Sequence, residues 1–184
     1  MELVLKRQIK KILITSLLLA CNKPEAGINP NLGKPIHIDS EKQIMDIENN
    51  MAIASGNVTI TQGNLKIKAD KTTISFSGAQ NQNIIINAYG QLIKFYQILD
   101  NGQSITGHAE KINYDIDKEQ VQLSGNAYLE QTGNSIQGNC ITYLINKKEM
   151  HAISYTGQHV TTIFTPSHRK DHLILKEDIK KDND

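Results

Sequence analysis

Lys111-Ile112-Asn113-Tyr114-Asp115-Ile116-Asp117 and, a few residues on, Val121-Gln122-Leu123-Ser124-Gly125-Asn126-Ala127-Tyr128-Leu129-Glu130 decide the fold. Apolar and polar residues alternate in both, and a period of two gives a strand one buried face and one wet face. The same alternation runs through Pro35-Ile36-His37-Ile38-Asp39, Val58-Thr59-Ile60-Thr61 and Leu65-Lys66-Ile67-Lys68-Ala69-Asp70. Turn residues punctuate these runs: Glu48-Asn49-Asn50, Gly56-Asn57, Gly63-Asn64, Ser77-Gly78, Asp100-Asn101-Gly102, Gly125-Asn126, Gly133-Asn134 and Gly138-Asn139. Many short strands so spaced predict an antiparallel all-β sandwich, jelly roll or barrel. No stretch between 35 and 165 sustains a 3.6-residue period. Without crossover helices, a parallel sheet is not expected.

The deciding stretch is one copy of a repeat. Residues 41–75 align with 110–144 at a constant offset of 69, with ten identities in 35 positions. Glu41/Glu110, Lys42/Lys111, Asp46/Asp115, Gly56/Gly125, Asn57/Asn126 and Gln62/Gln131 are among them. One copy buries its apolar face poorly alone, so both are expected in one folded body spanning 35–166.

Composition agrees. The 184 residues include 27 Ile and no Trp, with aromatic residues at 5%. β-branched richness favours strands, and the core must be filled mainly by aliphatic chains. With 20 Lys+Arg against 19 Asp+Glu, the chain lacks the basic excess of a nucleic-acid binder. Two Cys form neither a disulfide framework nor a four-thiolate metal site.

The two ends read differently from the body. Lys6, Arg7, Lys10 and Lys11 precede nine uncharged residues, Ile12 to Ala20. A basic start followed by a short apolar run is a secretory signal, and nine helical residues rise only about 14 Å, too little to span a membrane. Cleavage after Ala26 makes 1–26 a signal peptide, and the mature chain then carries 15 Lys+Arg and 17 acids. The alternative is lipidation at Cys21, where Leu18-Leu19-Ala20-Cys21 resembles a lipobox. Residues 27–34 read as a flexible lead-in and 167–184 as a charged, mobile tail.

Nothing in the chain points to catalysis. Gly-x-Ser-x-Gly, His-Glu-x-x-His and a phosphate-cradling Gly-Lys-Ser/Thr loop are all absent from the sequence. His168 and His172 lie in the charged tail without a third ligand nearby, so no metal site is expected. Asp115 and Asp117, two apart on one strand face, read as solvating acids rather than a glycosidase pair. Cys140 has no neighbouring His to activate it and reads as structural. No enzyme activity and no cofactor are expected.

The apolar alternation leaves two readings open. Ile36/Ile38, Val58/Ile60, Leu65/Ile67/Ala69, Ile93/Phe95, Ile112/Tyr114/Ile116 and Val121/Leu123 each share one strand face. They fill an ordinary sandwich core, or they line a groove between splayed sheets that takes an acyl chain. Periodicity does not separate the two.

Several segments, taken in order, resemble one family. They are Pro35-Ile36-His37-Ile38-Asp39-Ser40, Gly56-Asn57-Val58-Thr59-Ile60-Thr61-Gln62-Gly63, Ile67-Lys68-Ala69-Asp70-Lys71, Tyr89-Gly90, Phe95-Tyr96-Gln97, Asp100-Asn101-Gly102, Gly107-His108-Ala109, Leu123-Ser124-Gly125-Asn126-Ala127-Tyr128-Leu129, Ile141-Thr142-Tyr143-Leu144 and Val160-Thr161-Thr162. Over some 130 residues the chain is similar to the OstA-like family of periplasmic lipopolysaccharide transport proteins, the LptA family. Asn139-Cys140 departs from the pattern, standing where an acidic-basic pair like Asp70-Lys71 is expected.

The resemblance implies a twisted antiparallel β-jellyroll of about sixteen strands, open at both ends, with an apolar interior groove. It implies a periplasmic carrier that holds the lipid A acyl chains of lipopolysaccharide and forms part of a bridge between the inner and outer membranes. An LptC-like inner-membrane partner would pair at the N-terminal edge, on Pro35, Ile36, His37 and Ile38. An LptD-like outer-membrane partner would pair at the C-terminal edge, and head-to-tail homo-oligomers are expected. By motif matching, Ile36, Ile38, Phe95, Tyr114 and Ile116 fall at the implied groove positions; alternation adds Val58, Ile60, Ile67, Ile112 and Leu123 to the expected lipid-binding groove. The alternative is an envelope-associated structural β-sandwich, or a lipoprotein tethered through Cys21, without lipid cargo.

Overall fold

A computed structural model describes residues 31, 33–78 and 83–166. The signal segment 1–26, most of the lead-in and the tail 167–184, with His168 and His172, lie outside the described residues. Ten strands form a single antiparallel sheet: β1 (Ile36–Asp39), β2 (Lys42–Asp46), β3 (Met51–Gln62), β4 (Leu65–Ser77), β5 (Asn83–Ile98), β6 (Ser104–Asp115), β7 (Gln120–Gln131), β8 (Asn134–Leu144), β9 (Glu149–Ile153) and β10 (Thr161–Ile163). From β3 to β8 each strand pairs with the next in sequence. β1 and β2 both lie on β3, and β9 and β10 both lie on β8.

The six central strands are long, from 11 to 16 residues, and each ladder between them breaks register near its middle. The breaks fall at Ser55/Val58, Lys68/Lys71, Tyr89/Ile93, His108/Lys111 and Ser124/Ala127. A bulge bends its strand and raises its twist. A row of bulges across the sheet folds it into two layers. The first layer holds β1, the 58–62 half of β3, the matching halves of β4 to β8, and β10. The second holds β2, the 51–55 half of β3, the other halves of β4 to β8, and β9. Two contacts bring the layers face to face: the Tyr114 hydroxyl donates to Gln62 Oε1 at 2.9 Å, and the Phe95 and Tyr143 rings meet edge-on at 6.4 Å. Each six-strand set counted as two halves, with the four short strands, gives the sixteen segments expected of the jellyroll.

Three of the Gly-Asn pairs expected to turn the chain lie inside strands instead, Gly138-Asn139 within β8 and two at bulges. Gly56-Asn57 and Gly125-Asn126 lie inside β3 and β7, at the bulges. Both residues of each pair take positive φ (80° and 47°; 79° and 45°), which Gly adopts freely and Asn tolerates. The repeat explains the match. In each copy a Glu accepts a hydrogen bond from the Asn side-chain amide, Glu41, just before β2, from Asn57 and Glu110, in β6, from Asn126. Asp46 and Asp115 likewise cap equivalent turns, each accepting the amide three residues on, from Asn49 and Lys118. Genuine hairpin turns sit elsewhere. At Thr132-Gly133 both residues have positive φ (50° and 78°), as a type I′ hairpin requires.

The core is one contiguous apolar cluster on the inward face of both layers, dominated by Ile, Leu and Val with Phe95, Tyr114 and Tyr143. Alternation places these side chains inside and Lys66, Lys68, Lys94 and Tyr96 outside.

Candidate functional site

The inward face of the two layers gathers every residue expected to line the groove. Val58, Ile60, Ile67, Phe95, Ile112, Tyr114, Ile116 and Leu123 are buried. Ile36 and Ile38, on β1, are half-buried and pack against the same cluster. Period-two register makes this a single choice rather than ten: a slip of one residue in any strand would turn its whole set outward. Tyr128, next to Leu129 on β7, faces outward and stacks on His108 at 5.1 Å. Its hydroxyl donates to Glu130 Oε2 at 2.9 Å, and that bond, with burial, holds the phenol above its ordinary range. Cys140 also lies on the outer face, alternating with buried Ile141, and its Sγ accepts from Gln122 Nε2 at 3.3 Å.

The interior meets the surface where the layers end. At the C-terminal edge a cleft of about 310 Å³ is lined by Leu129, Gln131, Asn134, Ser135, Ile136, Met150, Thr162 and Phe164. Leu129 belongs to the core, and Ile136 and Met150 pack against it, so this cleft is the apolar interior coming into the open. Phe164, 77% exposed, stands at its rim. At the N-terminal edge, Ile36 and Ile38 of β1 and Met45 of β2 stand on the inward face by register, opposite Gln62, Ile60 and Ala52. Met45 is 69% exposed.

Both edges are also unpaired. β1 and β2 bond only to β3, and β9 and β10 only to β8, among the described residues. A free strand edge presents a row of N–H and C=O groups that another strand can complete. Large exposed apolar residues cluster there: Ile44, Met45 and Ile47 at one edge, and Ile153, Tyr155, Val160, Ile163 and Phe164 at the other. Pro35, Ile36, His37 and Ile38, expected at the partner-strand edge, lie on or just before β1. Ahead of them, Asn31 Oδ1 accepts the Asn64 amide at 2.8 Å and Lys34 O accepts Gln62 Nε2 at 3.3 Å, tying this segment to the β3–β4 turn.

The interior is not wholly apolar, which sequence reading missed. Gln62 and Gln97 project inward from the first layer, on either side of Leu65 in the cross-strand register. Tyr114 and Tyr143 project inward from the second layer, on either side of Val121. Tyr114 and Gln62 bond to each other, whereas the Tyr143 hydroxyl and Gln97 Oε1 make no hydrogen bond. Burial pushes the Tyr143 phenol up to about 12. The signal was present in the sequence: Gln62/Gln131 is a repeat identity, and Gln97 and Tyr143 occupy apolar slots of the alternation.

The acid pair dissolves. Asp115 ends β6 and is buried, while Asp117 lies in the following turn. Burial works against ionisation of Asp115, but hydrogen bonds from the Lys118 side chain and amide outweigh it and hold the carboxyl below its usual range. Lys118 Nζ sits 2.7 Å away, so the pair is a turn clamp.

Comparison with known proteins places this architecture. The family model described as "LptA/(LptD N-terminal domain) LPS transport protein" matches residues 37–149. The chain is 39% identical over 160 residues to the lipopolysaccharide export system protein LptA of Escherichia coli strain K12, covering 87% of this chain and 86% of that one. It is 33% identical over 158 residues to the protein of the same name from Haemophilus influenzae, covering 85% and 92%. The crystal structure of LptH, the LptA-homologous periplasmic component of the lipopolysaccharide transport device of Pseudomonas aeruginosa, superposes with a TM-score of 0.69. That match covers 74% of this chain and 99% of the other at 20% identity, a likeness of fold. With two layers of one bulged sheet, and with sequence identity running through both, the chain belongs to the LptA/LptD N-terminal domain family of lipopolysaccharide transport proteins.

Proposed function

We propose that this protein is a periplasmic carrier that holds the lipid A acyl chains of lipopolysaccharide between its two layers. It serves as one element of a bridge from the inner to the outer membrane. The carrying observation is that a mainly apolar interior reaches the surface at both ends of the sheet, beside strand edges that have no partner among the described residues. Acyl chains would leave water at Ile36, Ile38 and Met45, run past Phe95, Tyr114 and Ile112, and emerge at Leu129, Met150 and Phe164. Each methylene so buried contributes about 0.8 kcal/mol, and no bond is made or broken. An LptC-like partner strand completes the β1/β2 edge and an LptD-like one the β9/β10 edge. The two edges of successive copies pair head to tail in the same way. Such joints keep the interior continuous, which one body of about 14 Å radius of gyration needs if lipid is to cross a wider gap.

A second reading has one observation in its favour. Ile67, Ile86, Ile112 and Leu123 are fully buried against one another, as in a solid structural sandwich without cargo. One experiment separates the two. A photo-crosslinking residue replaces Phe95 or, separately, Tyr128 in living cells, and the adducts are probed for lipopolysaccharide. Adducts at Phe95 and none at Tyr128 support the carrier. Adducts at neither, in a folded protein, leave the sandwich.

A further inference from the structure

We propose that Gln97 and Tyr143 form a polar reading site inside the apolar interior, selecting acyl chains that carry a hydroxyl group over plain ones. The inference rests on the carrier reading. Four polar side chains enter the interior, and the Tyr114–Gln62 and Phe95–Tyr143 contacts set a register between the layers that brings Gln97 of β5 opposite Tyr143 of β8. Gln62 and Gln97 come from the first layer, and Tyr114 and Tyr143 from the second. One pair is closed, Tyr114 to Gln62 at 2.9 Å. The other is left open, with an unbonded donor on Tyr143 and an unbonded acceptor on Gln97. Both residues are about 99% buried.

Buried polar groups are almost always hydrogen-bonded, and an orphan is a cost to folding. Two orphans of complementary sense, in a core otherwise dominated by Ile, Leu and Val, are matched by one group that both donates and accepts once the layers part to admit a chain. A hydroxyl does so: its hydrogen goes to Gln97 Oε1 and its oxygen accepts from Tyr143. A saturated chain offers neither. The ring of Phe95 lies edge-on to Tyr143 and stands two residues before Gln97 on the same inward face, so aliphatic contact and polar reading occur side by side. The discrimination is the kind in which a site built for a hydroxyl rejects the analogue lacking it, because its own polar atoms then stay unpaired.

The test uses the full chain and two simple probes, 3-hydroxytetradecanoate and tetradecanoate, each displacing a fluorescent fatty acid. The hydroxy acid is expected to bind about tenfold more tightly, the net worth of the two hydrogen bonds its hydroxyl makes. Tyr143→Phe and Gln97→Met are each expected to cut that preference to about threefold or less, and the double variant to remove it, with tetradecanoate binding measured alongside. Tyr143→Phe removes an unbonded hydroxyl and keeps the ring, so the fold survives it. Equal binding of the two acids by the unaltered protein overturns the inference while leaving the carrier reading intact. A preference that survives undiminished in both variants overturns it too. If the fluorescent fatty acid itself fails to bind the folded protein, the carrier reading falls and the inference with it.

Discussion

The same substitution at two tyrosines should have opposite effects on stability. Tyr114→Phe removes the hydroxyl that donates to Gln62 Oε1 at 2.9 Å, with both residues buried, and leaves that oxygen without its donor in an apolar surround. An abandoned buried acceptor costs about 1–3 kcal/mol. Tyr143→Phe removes a hydroxyl that is equally buried but has no hydrogen bond. Burying an unpaired hydroxyl costs about 1–3 kcal/mol by protein mutational data, so its loss should leave stability unchanged or raise it by about 1 kcal/mol. The two variants should therefore differ by about 1–4 kcal/mol. With slopes of about 1–3 kcal/mol/M in urea, the midpoints separate by about 1 M. Adding Gln62→Leu to Tyr114→Phe should recover part of the loss, because the orphaned acceptor goes with it. The recovery is incomplete, since the Gln62 bond to Lys34 O at 3.3 Å is lost as well. Equal destabilisation by the two Tyr→Phe changes would refute the reasoning, as would a double variant as unstable as the sum of its parts.

Other outcomes follow from the same geometry. Gly56→Ala and Gly125→Ala should each cost about 1–2 kcal/mol in urea unfolding, because φ near 80° at both bulges is foreign to a side chain; costs differing by more than 1 kcal/mol would undo the equivalence of the copies. Asp115 is held below its unfolded value of about 3.9, so its contribution is complete above that pH and is lost as pH falls through the lower folded value. Melting temperatures of the unaltered protein and Asp115→Asn should therefore converge from pH 5 toward pH 2, and a constant gap would contradict the clamp. Phe164→Asp should weaken concentration-dependent association, followed by sedimentation, without lowering the melting temperature, since Phe164 is largely exposed. Association unchanged in this variant and in Met45→Asp would exclude both edges as the contact.

Strand identity and inward face were legible because alternation is a local property. Val58, Ile60, Leu65 and Ile67 fall inside for the same reason that Thr59, Thr61, Lys66 and Lys68 fall outside. Bulges were not legible. Gly56-Asn57 has the composition of a turn, and only pairing on both sides, with the Glu41 carboxylate on the Asn57 side-chain amide, makes it a bend within one strand rather than a reversal. Nor could hydrophobicity distinguish an edge from a core. Met45 and Met150 both sit in alternating segments on the inward face, yet one is 69% exposed and the other packs on the core. Gln97 and Tyr143 were hidden because amphipathic side chains fit either face of a strand. Their orphaned atoms appear only when the second layer is laid over the first.

A filled interior is compatible with the proposed lipid carriage once the layers are considered as parts of one sheet. The layers share six strands and join at the row of bulges, where pairing is already interrupted. Away from that seam they are held chiefly by side-chain packing, with the Tyr114–Gln62 bond as one polar tie. Parting them to admit an acyl chain exchanges aliphatic contacts between layers for aliphatic contacts with the chain, so the interior itself gains or loses little. The driving force lies with the lipid: a twelve-carbon tail leaving water contributes about 10 kcal/mol. The cost is concentrated where the chain enters, and there β1, β2, β9 and β10 are each bonded on one side only and already leave Met45 and Phe164 in solvent. An Ile-rich interior with few rings suits this exchange, because methyl groups repack around a flexible tail with less geometric demand than aromatic faces.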